Sequence, residues 1–321
     1  MFWSKRENRT NVANQILTTS HGTNRDAFRP KDWGLFLSLS AIWGSSFLLM
    51  AIGLDAFHPG LVTWLRLGFG AAVMAMLPQA RQARIPRSER RRLWVLGLIW
   101  LAIPFVLFPV AQQWIDSAVA GMLNGATPIF TAVVASILLM HLPGRLQMIG
   151  LVVGFAGILS IALPSAGEGS TATIGVVLVV LATVCYAFAT NIVVPLQQRY
   201  GSIAVMARVQ WVAAALVTPY GIYGLTQSAF AWSSLVAMMA VGVLGTGLAM
   251  VLMGSLVGSV GPTRATFITY LIPIVALVLG MVFRDEIVSP IAVLGVVLVI
   301  AGAILASRSE LSLKPLPAEA P

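Results

Sequence analysis

Few residues in this chain are of types that do chemistry, and most of those stand in apolar surroundings. Arg66 lies about six residues into the apolar stretch 60–79. An arginine inside hydrocarbon costs at least ~2.5 kcal/mol unless it finds a partner or reaches the headgroups. One reading has it snorkelling outward from a depth of ~9 Å. The other turns it into a cavity, where a guanidinium holds a carboxylate-bearing solute by paired hydrogen bonds. Arg208 has a loosely equivalent place near the end of a later stretch, where snorkelling accounts for it. Trp43 is central in its stretch, away from Trp33, Trp94, Trp114 and Trp232, which fit the interfacial belts. Its indole N–H needs a partner, found either in core packing or in a cavity shared with Ser45, Ser46, Asn124, Asn191 and Tyr270. Those polar groups suit substrate binding, and they equally suit bonds between helices.

Pro128 and Pro273 stand near the middles of two stretches. Each removes a backbone donor and frees the carbonyl four residues earlier, at Asn124 and Thr269. The result is a kink for packing, or a helix break that lines a cavity and gates it. Glu286 and His141 fall where later stretches open; a carboxylate there reads as a helix cap, and the pair is also the candidate for ion coupling. No Asp or Glu lies within any long apolar stretch, so a buried-carboxylate proton relay has no candidate. Facilitated transport or exchange follows more readily. His21, His58 and His141 are isolated and Cys185 is the single cysteine. No catalytic group, metal, cofactor or disulfide is therefore expected, and an integral-membrane enzyme, which needs such clusters, ranks below a non-transporting receptor or scaffold as the alternative to a transporter.

The elements that must position these residues are membrane helices. The 321 residues are 58% hydrophobic and 10% charged, against about a quarter charged in soluble domains. Uncharged runs near the ~20 residues needed to cross a bilayer fall at 33–54, 60–79, 93–113, 119–140, 147–163, 174–196, 203–223, 232–256, 265–283 and 287–307. The net charge of +9 would suggest nucleic acid in a soluble protein. Here Lys5, Arg6, Arg9, Arg25, Arg29, Lys31 and the arginines of 81–92 fall on one side of the spans, and Asp55, Asp116, Glu168, Asp285 and Glu286 on the other. That is the positive-inside bias. It expects both termini in the cytoplasm, an inner membrane of the bacterial kind, the lipid bilayer and a small solute as partners, and no nucleic acid. Segments 1–32 and 308–321 read as disordered cytoplasmic tails, without a secretory signal. A monomer satisfies the pattern.

The chain also repeats itself. An offset of 145 residues sets Pro128-Ile129, His141, Gly150, Val152, Ala156 and Gly157 on Pro273-Ile274, Glu286, Gly295, Val297, Ala301 and Gly302, and an offset of 143 sets Trp43-Gly44 on Tyr186-Ala187. Two units of five spans follow, 33–163 and 174–307. Five is odd, so the second unit enters from the opposite side, the inverted plan of many secondary transporters.

With Trp43-Gly44-Ser45-Ser46-Phe47, Arg66 and the paired stretches from Pro128 to Gly157 and from Pro273 to Gly302, the chain resembles the drug/metabolite transporter superfamily and its EamA-like branch. The resemblance covers 33–307. It implies an all-α fold of ten transmembrane helices in two inverted five-helix repeats, a central cavity, and alternating access, usually for export of amino acids or other small metabolites. One departure is clear: the acidic position kept as Glu286 is His141 in the first half.

Overall fold

The computed structural model describes residues 29–82, 84–140, 143–166, 169–260 and 265–308. His141 and most of both tails lie outside the described residues. Within them the chain is all-helical. In order come α1 (Pro30–Leu54), α2 (Pro59–Met76), α3 (Arg87–Ala111), α4 (Ser117–Asn124), α5 (Thr127–Leu139) and α6 (Arg145–Ala166). Then follow α7 (Ser170–Tyr200), α8 (Ser202–Thr226), α9 (Trp232–Ala240, continuing to Val260), α10 (Ile268–Arg284) and α11 (Pro290–Arg308). Eight segments, α4 and α5 counted together, are long and apolar enough to cross a membrane; α10 and the apolar part of α11 are shorter.

Helix ends follow local chemistry. Proline opens α1, α2 and α11, where its missing N–H costs nothing and its fixed φ suits the first turn. Pro128 does the same for α5. It does not kink a continuous helix, as its central position suggested. Instead the span stops at Gly125-Ala126, whose amides reach back three residues, and restarts. The Thr127 hydroxyl donates to the Asn124 carbonyl at 2.7 Å, meeting an acceptor that the proline leaves open. Pro273 lies well inside α10 and packs against Gly125: a side chain there would collide with the proline ring.

The 145-residue spacing reappears in the backbone. Met140 and Asp285, the non-glycine residues with positive φ among those described, end α5 and α10 at φ 51° and 53°. A π-helical stretch interrupts α3 at Gly97–Ala102, and another interrupts α9 at Val241–Leu248. Such interruptions expose carbonyls and often mark functional sites. In α9, side chains at Gly242 and Gly247 would collide with Phe69 and Val73, so these glycines let α2 approach.

Helices α6 and α11 run antiparallel and touch through backbone. Gly150 lies against the Gly302 carbonyl, and Gly157 against the Gly295 carbonyl. Small residues permit this approach where lipid supplies no hydrophobic drive between helices. The outer faces of the pair, including Val152, Leu159, Leu163, Leu294 and Val297, are exposed and apolar, a surface suited to lipid and far larger than water tolerates. Trp33, Trp94, Trp114 and Trp232 are also exposed, as interfacial anchors should be.

Candidate functional site

A cavity of about 240 Å³ lies between the two halves of the chain. It is lined largely by residues that the repeat pairs with one another: Trp100 with Gly245, Leu101 with Thr246, Phe105 with Met250, Asn124 with Thr269 and Thr127 with Ile272, each 145 apart, and Trp43 with Tyr186 and Phe47 with Thr190, each 143 apart. Three spans of the first half, α1, α3 and the broken α4–α5, thus meet their counterparts α7, α9 and α10 around one space. The paired positions differ in chemistry, so the site itself is asymmetric.

Arg66 faces this cavity and is 7% exposed. Its Nε donates to Thr246 Oγ1 at 3.2 Å, its Nη1 to the Met50 thioether at 3.1 Å, and its guanidinium carbon lies 3.9 Å from the centre of the Phe105 ring. Thr246 is held in turn by donating to the Val241 carbonyl inside the π-helical stretch. No carboxylate pairs with Arg66 among the described residues; Arg92–Glu89 and Arg284–Asp55 are ion pairs elsewhere in the chain. The side chain therefore does not snorkel. Arg208 behaves differently, donating to the carbonyls of Ala80 and Ala204 near a helix end.

The Trp43 indole donates to the Gly245 carbonyl at 3.0 Å, using an acceptor in the π-helical stretch, and its ring lines the cavity. Ser46 lines it as well, with its hydroxyl turned to the Ile42 carbonyl. Asn124 lines it, and its buried Oδ1 has no partner. Ser45, Asn191 and Tyr270 do not line it. Ser45 bonds to its own helix at Ile42, Asn191 to the Ala187 and Thr131 carbonyls, and the Tyr270 ring stacks on Phe267. In each case the neighbouring residue, Ser46, Thr190 or Thr269, takes the cavity position.

Reasoning from the sequence missed Trp100, Phe105, Phe108 and Thr246. Trp100 carried the same signal as Trp43, a tryptophan central in its span. It also missed Gln210, fully buried on α8, with both amide atoms unpartnered. Gln210 and Thr246 both lie where a side chain on Gly70 would stand, which puts the amide close behind the residue that orients Arg66.

Glu286 is not among the residues that line the cavity. The left-handed turn at Asp285 sends its carboxylate back to α4, where it accepts from the Ser117 amide (2.9 Å), the Ser117 hydroxyl (2.6 Å) and the Ala118 amide (2.8 Å). It caps α4 in the other half of the chain, not the helix that follows it. Beside it Arg284 makes a two-pronged pair with Asp55. Charged hydrogen bonds to a helix N-terminus outweigh an exposed ion pair. Glu286→Ala is accordingly expected to lower stability by about 2 kcal/mol and Asp55→Ala by under about 1 kcal/mol, read as the fall in melting temperature of the detergent-purified protein.

Described residues that are all helical, with lipid-suited outer faces and eight segments able to cross a bilayer, define an integral membrane protein. A model of the EamA-like transporter family matches residues 33–163 and 173–308, and the chain belongs to that family and is a membrane transporter. It is 26% identical over 298 residues to the uncharacterized inner membrane transporter YedA of Escherichia coli K12, covering 90% of this chain and 94% of that one. It is likewise 26% identical over 284 residues to a probable terminal-alkyne amino-acid exporter of Streptantibioticus cattleyicolor, covering 87% and 94%. A solved crystal structure superposes with a TM-score of 0.61 at 19% identity, covering 90% of this chain and 100% of the other, a likeness of fold.

Proposed function

We propose that the protein is a secondary transporter that exports an amino acid or related small carboxylate by alternating access around the central cavity. The observation that carries this reading is a buried, carboxylate-free Arg66 facing a space enclosed by repeat-paired residues. At about 240 Å³ the space is below the range usual for drug-sized ligands, which fits a small metabolite. Ten spans in two inverted units of five, 33–163 and 174–307, are supported by the antiparallel contact of α6 with α11 and by the equivalent left-handed ends of α5 and α10. The amino-acid class and the outward direction draw on the name of the Streptantibioticus relative. Pro128 with Gly125, and Pro273 against them, supply the helix break around which α4 and α5 move. Glu286, occupied as a cap, acts as a clasp between the halves and not as a proton carrier.

Inverted topology makes a direct prediction. Reporter fusions in the 81–92 segment and at 284–286 fall on opposite sides of the membrane, the first in the cytoplasm with both termini. Two fusions reporting the same side would overturn the inverted arrangement.

A further inference from the structure

The net charge of the loaded cavity limits what the cavity can hold. Among the described residues, Arg66 is the single fixed charge that lines it. A buried charge without a counter-charge is expensive, and more so in a membrane. A bound monocarboxylate brings the cavity to neutrality. A zwitterion pairs its carboxylate with Arg66 but leaves its own ammonium uncompensated, so the cavity stays at one positive charge. A free cation doubles the charge.

The geometry of Arg66 shows how the anion is received. Thr246 occupies Nε and the Phe105 ring covers one face of the guanidinium. The open edge is the Nη1–Nη2 side, where the present acceptor is the Met50 sulfur, a weak acceptor that a carboxylate displaces in two-pronged fashion. The same cavity is lined by the aromatic residues Trp43, Phe47, Trp100, Phe108 and Tyr186, which suit a flat apolar body. Asn124 adds a neutral amide to the lining.

Resting on the transporter reading above, and narrowing its solute class from amino acids to the related small carboxylates, we propose that the cavity selects small carboxylates with one net negative charge and a flat apolar body over zwitterions and cations. Guanidinium and carboxylate form the charge pair, the rings hold the body, and the lack of an acidic residue in the described lining rejects the ammonium.

The test is calorimetric titration of the full chain in lipid nanodiscs with four solutes that share one ring: phenylacetate, phenylalanine, phenylacetamide and phenethylamine. Phenylacetate is expected to bind roughly tenfold or more tightly than each of the others. In Arg66→Gln its advantage over phenylacetamide disappears while phenylacetamide is still bound, which shows the cavity intact. Phenylalanine binding as tightly as phenylacetate or more so, equal affinity for phenylacetate and phenylacetamide, or no binding of any of the four overturns the proposal. Flux of labelled phenylacetate into proteoliposomes is read separately. Selective binding without flux leaves this site standing and removes the carrier reading.

Discussion

Replacing Arg66 with glutamine is expected to cut carboxylate flux in proteoliposomes by roughly a hundredfold or more, from the ~3 kcal/mol lost when one member of a buried charge pair is removed. The membrane-inserted yield should not fall with it. Arg66 has no acidic partner to be orphaned, its Nε bond to Thr246 is replaceable by a glutamine amide, and losing an unpaired buried charge removes a cost to folding. Arg66→Lys keeps the charge but not the planar fork and should fall between the two. Loss of insertion in both variants would mean that Arg66 serves the structure.

Asn124→Leu should move stability and function in opposite directions. Asn124 Oδ1 is buried without a partner, a state that costs ~1–3 kcal/mol, and leucine has nearly the same shape without the unmet acceptor. Its melting temperature should rise while flux drops by roughly tenfold, the pattern of a group kept for binding at the expense of folding. A variant that is both less stable and less active would make Asn124 an ordinary packing residue.

Which of the residues singled out in the sequence line the cavity, and which do not, has a geometric cause. Apolar length, charge asymmetry and the 145-residue repeat are properties of whole segments, and they located the helices to within a few residues. Which face of a helix meets the cavity is a matter of ~100° per residue, and there the sequence alone was ambiguous. Trp43, Ser46 and Met50, spaced for one face, line the cavity, whereas Ser45 between them does not. Thr190, four residues after Tyr186, lines it; Asn191 does not. Polarity attracted attention to Ser45, Asn191 and Tyr270, but each is one step off the facing row. The π-helical stretches escaped notice because an extra residue per turn is set by packing between helices, with the glycines at 242, 245 and 247 as the available hint. Glu286 was legible as a cap, yet the helix it caps lies 169 residues away, a pairing that local sequence does not carry.

Alternating access around the cavity is the claim on which the rest depends, and the lone Cys185 makes it measurable. In a Cys185→Ser background carrying Thr190→Cys, a membrane-impermeant maleimide applied to right-side-out and inside-out vesicles should label the new cysteine from both faces, and saturating phenylacetate should slow labelling from each. Labelling confined to one face whatever the ligand would contradict the account.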